Sequence, residues 1–145
     1  MEKIFETFTV TILKINKLVN KIKLYEMQEF DLKSVHVMCV YYLNESRGGL
    51  TASELMRLTL EDKAAISRAL KTLSDKGYIS YNANTYNAEI TLTEEGVKIA
   101  EAINGKAARA VAAGSADFSE EERLFFYQSL KKIADNLEKY YRKLD

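Results

Sequence analysis

The segment LTASELMRLTLEDKAAISRALKTLSDKGYISYNANTYNAEITLTEEG, residues 50–96, most constrains what this chain can fold into. Thr51 and Glu54 have the spacing of a capping box, which predicts the start of a short helix. Asp62 is a suitable N-cap for a second helix, and Gly77 suits the left-handed position that closes it. The sequence therefore predicts two consecutive helices joined by a tight turn.

Two β-prone runs follow this pair of helices. They are YISY at 78–81 and AEITL at 88–92, with an asparagine-rich loop between them. Thr93 then caps the next helix. The order of helix, turn, helix and hairpin predicts a winged helix-turn-helix, which is typical of binding to duplex DNA.

The second helix of the pair is the candidate recognition helix, because its two faces differ. At 3.6 residues per turn, the apolar residues Ile66, Ala69, Leu70 and Leu73 fall on one side. The opposite side carries small residues first and basic residues after them. Small side chains allow close approach to base edges in a major groove, and Arg68 can donate two hydrogen bonds to guanine.

The residues predicted to contact DNA come from this helix, from the preceding helix and from the hairpin loop. Lys63 and Lys71 suit phosphates, as does the N-terminus of the preceding helix. The predicted set is Thr51, Ser53, Lys63, Ala64, Ala65, Ser67, Arg68, Lys71, Asn82, Asn84, Tyr86 and Asn87. Arg and Lys at this spacing also occur on an ordinary solvent-exposed helix face. The interpretation of this helix as a DNA-contacting helix therefore depends on the short helix before it and the hairpin after it.

Long amphipathic helices are predicted at both ends of the chain. The first covers about 3–24, and the last runs from a capping box at Ser119 to about Lys143. Their apolar stripes are Ile4, Phe8, Ile12, Ile15, Val19 and Ile22, and then Phe126, Leu130, Ile133, Leu137, Tyr140 or Tyr141, and Leu144. A small core leaves little surface for two such stripes, so we interpret them as a dimer interface.

Between the ends, a helix over 32–46 with Asp31 as its cap is apolar nearly all round, which predicts a central, buried position. The resulting fold class is mainly α (α+β), a winged helix-turn-helix core with long terminal dimerisation helices. We expect an N-terminal dimerisation helix at 1–30, the DNA-binding core at 31–93 and C-terminal dimerisation helices at 94–145.

Composition and the absence of certain sequence patterns limit the classes of function that we expect. The net charge is zero, so an electrostatic case for DNA must rest on where the charges lie. There is one cysteine, no secretory signal pattern and no apolar run of membrane-spanning length, so we expect a cytoplasmic protein. The sequence contains no recognisable set of catalytic residues, no metal-ligand cluster and no phosphate-binding glycine loop. We therefore expect that the protein is not an enzyme and binds no cofactor.

Other residues with chemical potential have simpler interpretations. His36 and Cys39 lie three apart on the apolar helix, and we interpret them as packed core residues rather than as metal ligands or an oxidant sensor. Tyr25, Tyr41 and Tyr42 lie where the end helices should meet the core. They are candidates for a ligand pocket, and packing with a satisfied hydroxyl is the alternative for each.

The chain resembles the MarR family of winged-helix transcription regulators over nearly its whole length. The most specific part is ISRALKTLSDKGYI leading to LTEEG, in which Ser67 and Arg68 match the family's common Ser-Arg pair. The resemblance implies a homodimer on a pseudopalindromic DNA site, usually a repressor that a small molecule or another signal releases. Family wings commonly carry Asp-Arg-Arg, whereas this loop, NANTYNA, has no basic residue. A winged-helix dimer with weak DNA affinity, acting as a ligand- or protein-binding module, is therefore the alternative.

Overall fold

The computed structural model describes residues 3–82 and 84–144, and it is mainly helical with one small sheet. A π-helical turn at Glu6–Val10 leads into the first α-helix, and a 3-10 turn at Gln28–Phe30 follows that helix. The elements in chain order are α1 (Thr11–Glu26), α2 (Ser34–Ser46), α3 (Ala52–Thr59), α4 (Lys63–Asp75), β1 (Ile79–Ser80), β2 (Thr91–Leu92), α5 (Glu94–Gly114) and α6 (Glu120–Arg142). This order confirms the predicted winged helix-turn-helix with long helices at both ends.

The predicted helix boundaries at the pair α3 and α4 are confirmed by their hydrogen bonds. Thr51 Oγ1 accepts from the Glu54 backbone N–H at 3.2 Å, and a Glu54 carboxylate oxygen accepts from the Thr51 N–H at 2.8 Å. Asp62 Oδ1 accepts from the Ala65 N–H at 2.8 Å. Gly77 has a φ of +76°, the left-handed conformation that a closing glycine supplies.

Two local expectations are wrong. Asp31 does not cap α2, because it lies in the left-handed conformation with φ at +51°, and Lys33 occupies the N-cap position. The strands are also shorter than predicted, with Ile79 opposite Leu92 and Ser80 opposite Thr91. Backbone pairing continues instead as an isolated bridge between Leu50 and Ile90, which ties the start of α3 to the hairpin.

The apolar core belongs to the unit of the fold that ends at Ala107. The inward side of α4 is fully buried, as the helical period predicts, and Leu55 of α3 and Ile90 of the hairpin pack in the same cluster. Helix α2 contributes Val37, Cys39, Val40 and Leu43. This packing fixes the orientation of α4 and thereby determines which of its residues face outward.

An ion cluster secures the segment between α1 and α2. Lys106 Nζ on α5 lies 2.8 Å from a Glu29 carboxylate oxygen and 3.0 Å from one of Glu26, and it lies 5.9 Å from the Phe30 ring centroid. Hydrogen bonds to Glu29 and Glu26 raise the pKa of Lys106. The cluster holds the C-terminal end of α1 against α5.

The second unit begins at Ala108 and contains α6. The predicted capping box is present, since Ser119 Oγ accepts from the Glu122 N–H at 3.1 Å and the Ser119 N–H donates to Glu122 at 2.8 Å. Phe118 packs edge-on against Phe126, with ring centroids 5.9 Å apart. Among the described residues, no helix is both long and apolar enough to cross a membrane.

His36 replaces the predicted Asp31 as the polar group at the start of α2. Its Nδ1 accepts a hydrogen bond from the Lys33 N–H at 2.9 Å, and its side chain is buried. Burial lowers the pKa of His36, and the positive charges of Lys33 and Lys76 lower this pKa further, whereas Asp31 opposes them. Protonation would convert Nδ1 into a donor and abolish the cap.

This geometry predicts that the free energy of unfolding falls in mild acid. Because the pKa of His36 is lower in the folded chain than in the unfolded one, the unfolded state takes up the proton first as the pH falls. Urea unfolding at about pH 8 and about pH 5.5 should therefore show lower stability at the acid pH, within the range where histidine titrates.

The control is His36→Gln, whose amide oxygen can accept the same backbone N–H without titrating. His36 is the chain's only histidine, so this variant should lose most of the difference between the two pH values. An equal acid loss in His36→Gln would show that the cap is not responsible.

Candidate nucleic-acid interface

The outward side of α4 presents the predicted recognition residues together. Ala64, Ser67, Arg68 and Lys71 are exposed, as is Lys63 at the start of the helix, while Ala65 is half-buried. The opposite side of the helix is anchored in the core by Ile66, Ala69, Leu70 and Leu73. A rigid helix therefore displays a surface of small and basic side chains, which can contact both base edges and phosphates.

The basic residues of α4 differ in their surroundings. Lys71 Nζ lies 3.1 Å from an Asp75 carboxylate oxygen one turn along the helix, and both side chains are well exposed. Among the described residues, neither Lys63 nor Arg68 takes part in an ion pair like that of Lys71. An exposed pair such as Lys71–Asp75 contributes little stability, so a phosphate can displace it.

The N-terminus of α3 is less available to a phosphate than its sequence indicates. The hydroxyl and the backbone N–H of Thr51 both donate to the same Glu54 carboxylate oxygen, at 3.3 Å and 2.8 Å. A phosphate would have to compete with that carboxylate at Thr51, whereas Ser53 is exposed on the first turn. Ser53 is therefore a better candidate than Thr51 for contact with a phosphate.

The wing loop exposes each of its predicted contact residues, Asn82, Asn84, Tyr86 and Asn87. Asn82 organises its first part, since its side-chain oxygen accepts from the Asn84 N–H and its carbonyl accepts from the Thr85 N–H. Residues 78–93 contain no lysine or arginine and one acidic residue, Glu89. The wing is therefore a neutral to slightly acidic projection beside a helix with basic residues.

Thr93 caps α5 as predicted, and it also takes part in a junction between α4 and α5, with Gly77, Tyr78 and Gly96, that was not predicted from the sequence. Thr93 Oγ1 donates to the Gly77 carbonyl at 2.6 Å and accepts from the Gly96 N–H at 3.1 Å. The Thr93 N–H donates to the Tyr78 carbonyl at 3.0 Å. This junction joins the end of the recognition helix to the start of α5, and a glycine in the first turn of a helix was its available signal.

The remaining candidate residues are not assembled into one site by any contact among the described residues. Tyr41 and Tyr42 pack edge-on with ring centroids 5.2 Å apart, and Tyr25 is exposed near the end of α1. Cys39 is completely buried, and burial raises the pKa of its thiol to about 12, with a further contribution from Glu61. A thiolate is therefore strongly disfavoured at Cys39, which confirms its interpretation as a packed core residue.

Comparison with known proteins identifies the family that the chain resembles. The sequence model of the MarR family matches residues 30–84, which extend from the turn before α2 into the wing loop. The chain is similar to the MarR family over this part of its length. No curated protein sequence matches it significantly.

Solved structures of MarR-family proteins share the fold along most of the chain. A MarR transcriptional regulator from Methanosarcina mazei Go1 superposes with a TM-score of 0.84 at 20% identity, covering 93% of this chain and 92% of that one. A MarR protein from Peptoclostridium difficile gives 0.82 at 21% identity, with 93% and 90% covered. A putative MarR-family regulator from Listeria monocytogenes, in complex with a 26mer DNA, gives 0.78 at 25% identity, with 88% and 86% covered.

Within this fold, the wing is where the chain differs most from the charge pattern that its resemblance to the MarR family implies. The shape expected of a wing is present as a short antiparallel hairpin, and the loop between its strands lacks positive charge. The turn between α3 and α4 also carries Glu61 and Asp62, with Leu60 before them in the left-handed conformation. The wing and the turn before α4 therefore contribute no basic side chain, whereas α4 itself carries Lys63, Arg68 and Lys71.

Proposed function

We propose that this protein is a cytoplasmic, sequence-specific DNA-binding transcriptional regulator that acts as a homodimeric repressor on a pseudopalindromic operator. The observation that carries the proposal is the outward face of α4, where Ala64, Ser67, Arg68 and Lys71 are exposed on a helix whose other face is buried. The Listeria relative in complex with a 26mer DNA supports the same class of partner.

Homodimerisation is supported by apolar side chains that the protomer leaves exposed. On α1 these include Ile12, Ile15, Val19 and Ile22, and on α6 they include Phe126, Leu130, Ile133 and Leu137. Contiguous apolar surface on this scale marks an interaction site in a water-soluble fold. A second copy of the chain presents the same stripes, so a symmetric pairing can cover them.

The dimer determines how DNA is read. Two copies of α4 related by a twofold axis would enter successive major grooves, so the half-sites should lie about 10 bp apart. In each half-site Arg68 would donate to guanine, Ala64 and Ala65 would contact thymine methyl groups, and Lys63 and Lys71 would hold phosphates. Ser67 would lie between the residues that contact bases and those that contact phosphates.

A small-molecule effector completes the proposal. Tyr25, Tyr41 and Tyr42 are the candidate ligand-binding residues, because they combine an apolar ring with a hydroxyl that can donate or accept. The junction at Gly77 and Thr93 offers a route from α5 to the recognition helix, since hydrogen bonds of 2.6 Å and 3.0 Å cross it. A ligand that displaced α5 would therefore change the position of α4.

The test is fluorescence anisotropy with a duplex recovered by selection, measured across a salt series. Arg68→Ala should weaken binding about tenfold, because the variant cannot donate two hydrogen bonds to guanine. Lys63→Ala and Lys71→Ala should each lower the slope of log K against log salt by about 0.9 for every phosphate that is no longer neutralised. Lys132→Ala, which removes an exposed lysine of α6, is the matched control and should bind as the wild type does.

A steep salt dependence that none of the three α4 substitutions alters would exclude this assignment of residues to DNA. The second candidate function, a ligand- or protein-binding module with weak DNA affinity, is favoured by one observation, the absence of basic residues from the wing. It predicts that no duplex sequence is enriched in a selection.

A further inference from the structure

A group of titratable side chains around His36 connects the start of α2 with the end of α4. The imidazole is buried, at 7% of its full accessible surface, and it caps α2 through the 2.9 Å hydrogen bond from the Lys33 N–H to Nδ1. Lys76 Nζ, just after α4, lies 3.6 Å from a carboxylate oxygen of Asp31 in the turn before α2. The segment that His36 caps is therefore also the segment that contacts the end of α4.

The charges near this imidazole are predominantly positive. Lys33 and Lys76 lower the pKa of His36, and Asp31, whose side chain is almost fully exposed, is the one group that opposes them. A carboxylate so exposed to water compensates little of the charge on a buried neighbour. A proton on His36 would therefore place a third positive charge between the start of α2 and the end of α4.

Helix α1, which also packs against α2, brings no acidic side chain to compensate that proton. Lys23 Nζ lies 3.5 Å from Met38 Sδ on α2. Glu26, the only acidic residue of α1, forms an ion pair with Lys106 of α5 instead. Protonation of His36 is thus met by a change of structure rather than by a counter-charge.

We propose that His36 is a proton-operated switch, through which mild acid releases operator DNA from the folded dimer. Protonated Nδ1 is a donor and cannot accept from the Lys33 N–H, so the start of α2 loses its cap. The new charge also repels Lys76, which weakens the contact of α2 with the end of α4. The outward face of α4 is then no longer held in the orientation that DNA requires. This inference rests on the proposed DNA-binding function and adds a mode of regulation to it.

The direction of the expected effect is opposite to that of simple electrostatics. A proton adds positive charge, and added positive charge on a protein ordinarily strengthens its binding to the DNA polyanion. Weaker binding in acid therefore requires a structural response of the protein. Histidine is the side chain that ordinarily titrates between about pH 5 and pH 8, and His36 is the only one in the chain.

The experiment measures binding of the selected duplex by fluorescence anisotropy from about pH 8 to about pH 5.5 at constant ionic strength. Wild-type affinity should fall at least about tenfold, because both protomers lose an N-cap, while circular dichroism shows an unchanged helical signal. His36→Gln, which retains a cap that does not titrate, should bind as tightly in acid as at the higher pH.

Lys76→Gln should move the midpoint of release to a higher pH, since it removes a charge that lowers the pKa of His36. Lys98→Gln is the matched control, because it removes the charge of an exposed lysine on α5 and should leave the midpoint unchanged. A midpoint that does not rise in Lys76→Gln would show that the proton on His36 is not the trigger.

Three further results would overturn the inference. They are wild-type binding that is equal or tighter in acid, the same acid loss in His36→Gln, and loss of the helical signal together with DNA binding, because release would then be unfolding. Failure of the proposed function is a different result, in which the wild type prefers no duplex at any pH.

Discussion

Replacing Leu130 and Leu137 together by glutamate is expected to convert the protein from a dimer, of twice its 16.5 kDa chain mass, into a monomer. Both side chains are about half exposed on one face of α6 within a single protomer. In the proposed dimer they are buried, and the change should abolish operator binding, because only a dimer can occupy two half-sites at once.

The expected effect is large because each substitution acts twice in a symmetric dimer. Full burial of a leucine side chain contributes about 1.5–3 kcal/mol, and about half of each side chain is already buried in the protomer, so loss of four such contacts removes about 3–6 kcal/mol. A loss of this size converts a nanomolar dimer into one with a dissociation constant of about 0.2–25 μM. Burying the new carboxylates would weaken association further.

The matched control is the double variant Gln128→Glu and Lys139→Gln. It makes the same change in net charge on the side of α6 opposite the apolar stripe, at exposed positions. Light scattering after size exclusion should show dimers for this control and monomers for the leucine variant. A leucine variant that keeps the dimer mass would show that α6 does not form the interface.

Gly96→Ala is expected to have the largest effect on stability of any change to the α4–α5 junction. A Cβ at Gly96 would overlap the Tyr78 carbonyl oxygen and would lie 3.2 Å from Leu92 Cδ2. The Tyr78 carbonyl cannot rotate away without breaking its hydrogen bond from the Thr93 N–H. The start of α5 and the end of the recognition helix would therefore have to separate.

Overpacking of this kind costs about 1–3 kcal/mol, and the clash with backbone places Gly96→Ala near the upper end. The better helix propensity of alanine offsets at most about 1 kcal/mol. The melting temperature should therefore fall by about 5–10 °C in a chain of this length.

Gly114→Ala is the control for Gly96→Ala, because nothing lies within 4 Å of the added Cβ and the residue ends the same helix. Its melting temperature should stay constant or rise. Differential scanning calorimetry of both variants tests the junction. A Gly96→Ala protein as stable as the wild type would mean that the backbone at the junction rearranges around the added Cβ without loss of stability.

Local rules of sequence predicted the helical parts of this fold well. The capping boxes at Thr51 and Ser119, the N-cap at Asp62 and the left-handed Gly77 are all present. Each depends on interactions among residues three or four apart, which the sequence displays directly. The buried side of α4 was predicted for the same reason, because helical periodicity alone separates its apolar and polar positions.

Features that depend on distant residues were not predictable in the same way. The cap of α2 is supplied by His36 rather than Asp31, since the 3-10 turn before α2 places Asp31 in a left-handed conformation. The short strands end early because Ile90 pairs with Leu50, which lies 40 positions away. The close approach of Gly96 to Tyr78 requires the packing of α5 against the hairpin, which no local pattern contains.

DNA reading by α4 is tested most directly by selection of bound sequences from a pool of random duplexes with the intact wild-type protein. We expect enrichment of a pseudopalindrome whose half-sites lie about 10 bp apart, with a guanine in each half-site that is no longer preferred by Arg68→Ala. If the wild-type selection enriches no sequence, the protein is not a sequence-specific regulator and a binding module is favoured instead.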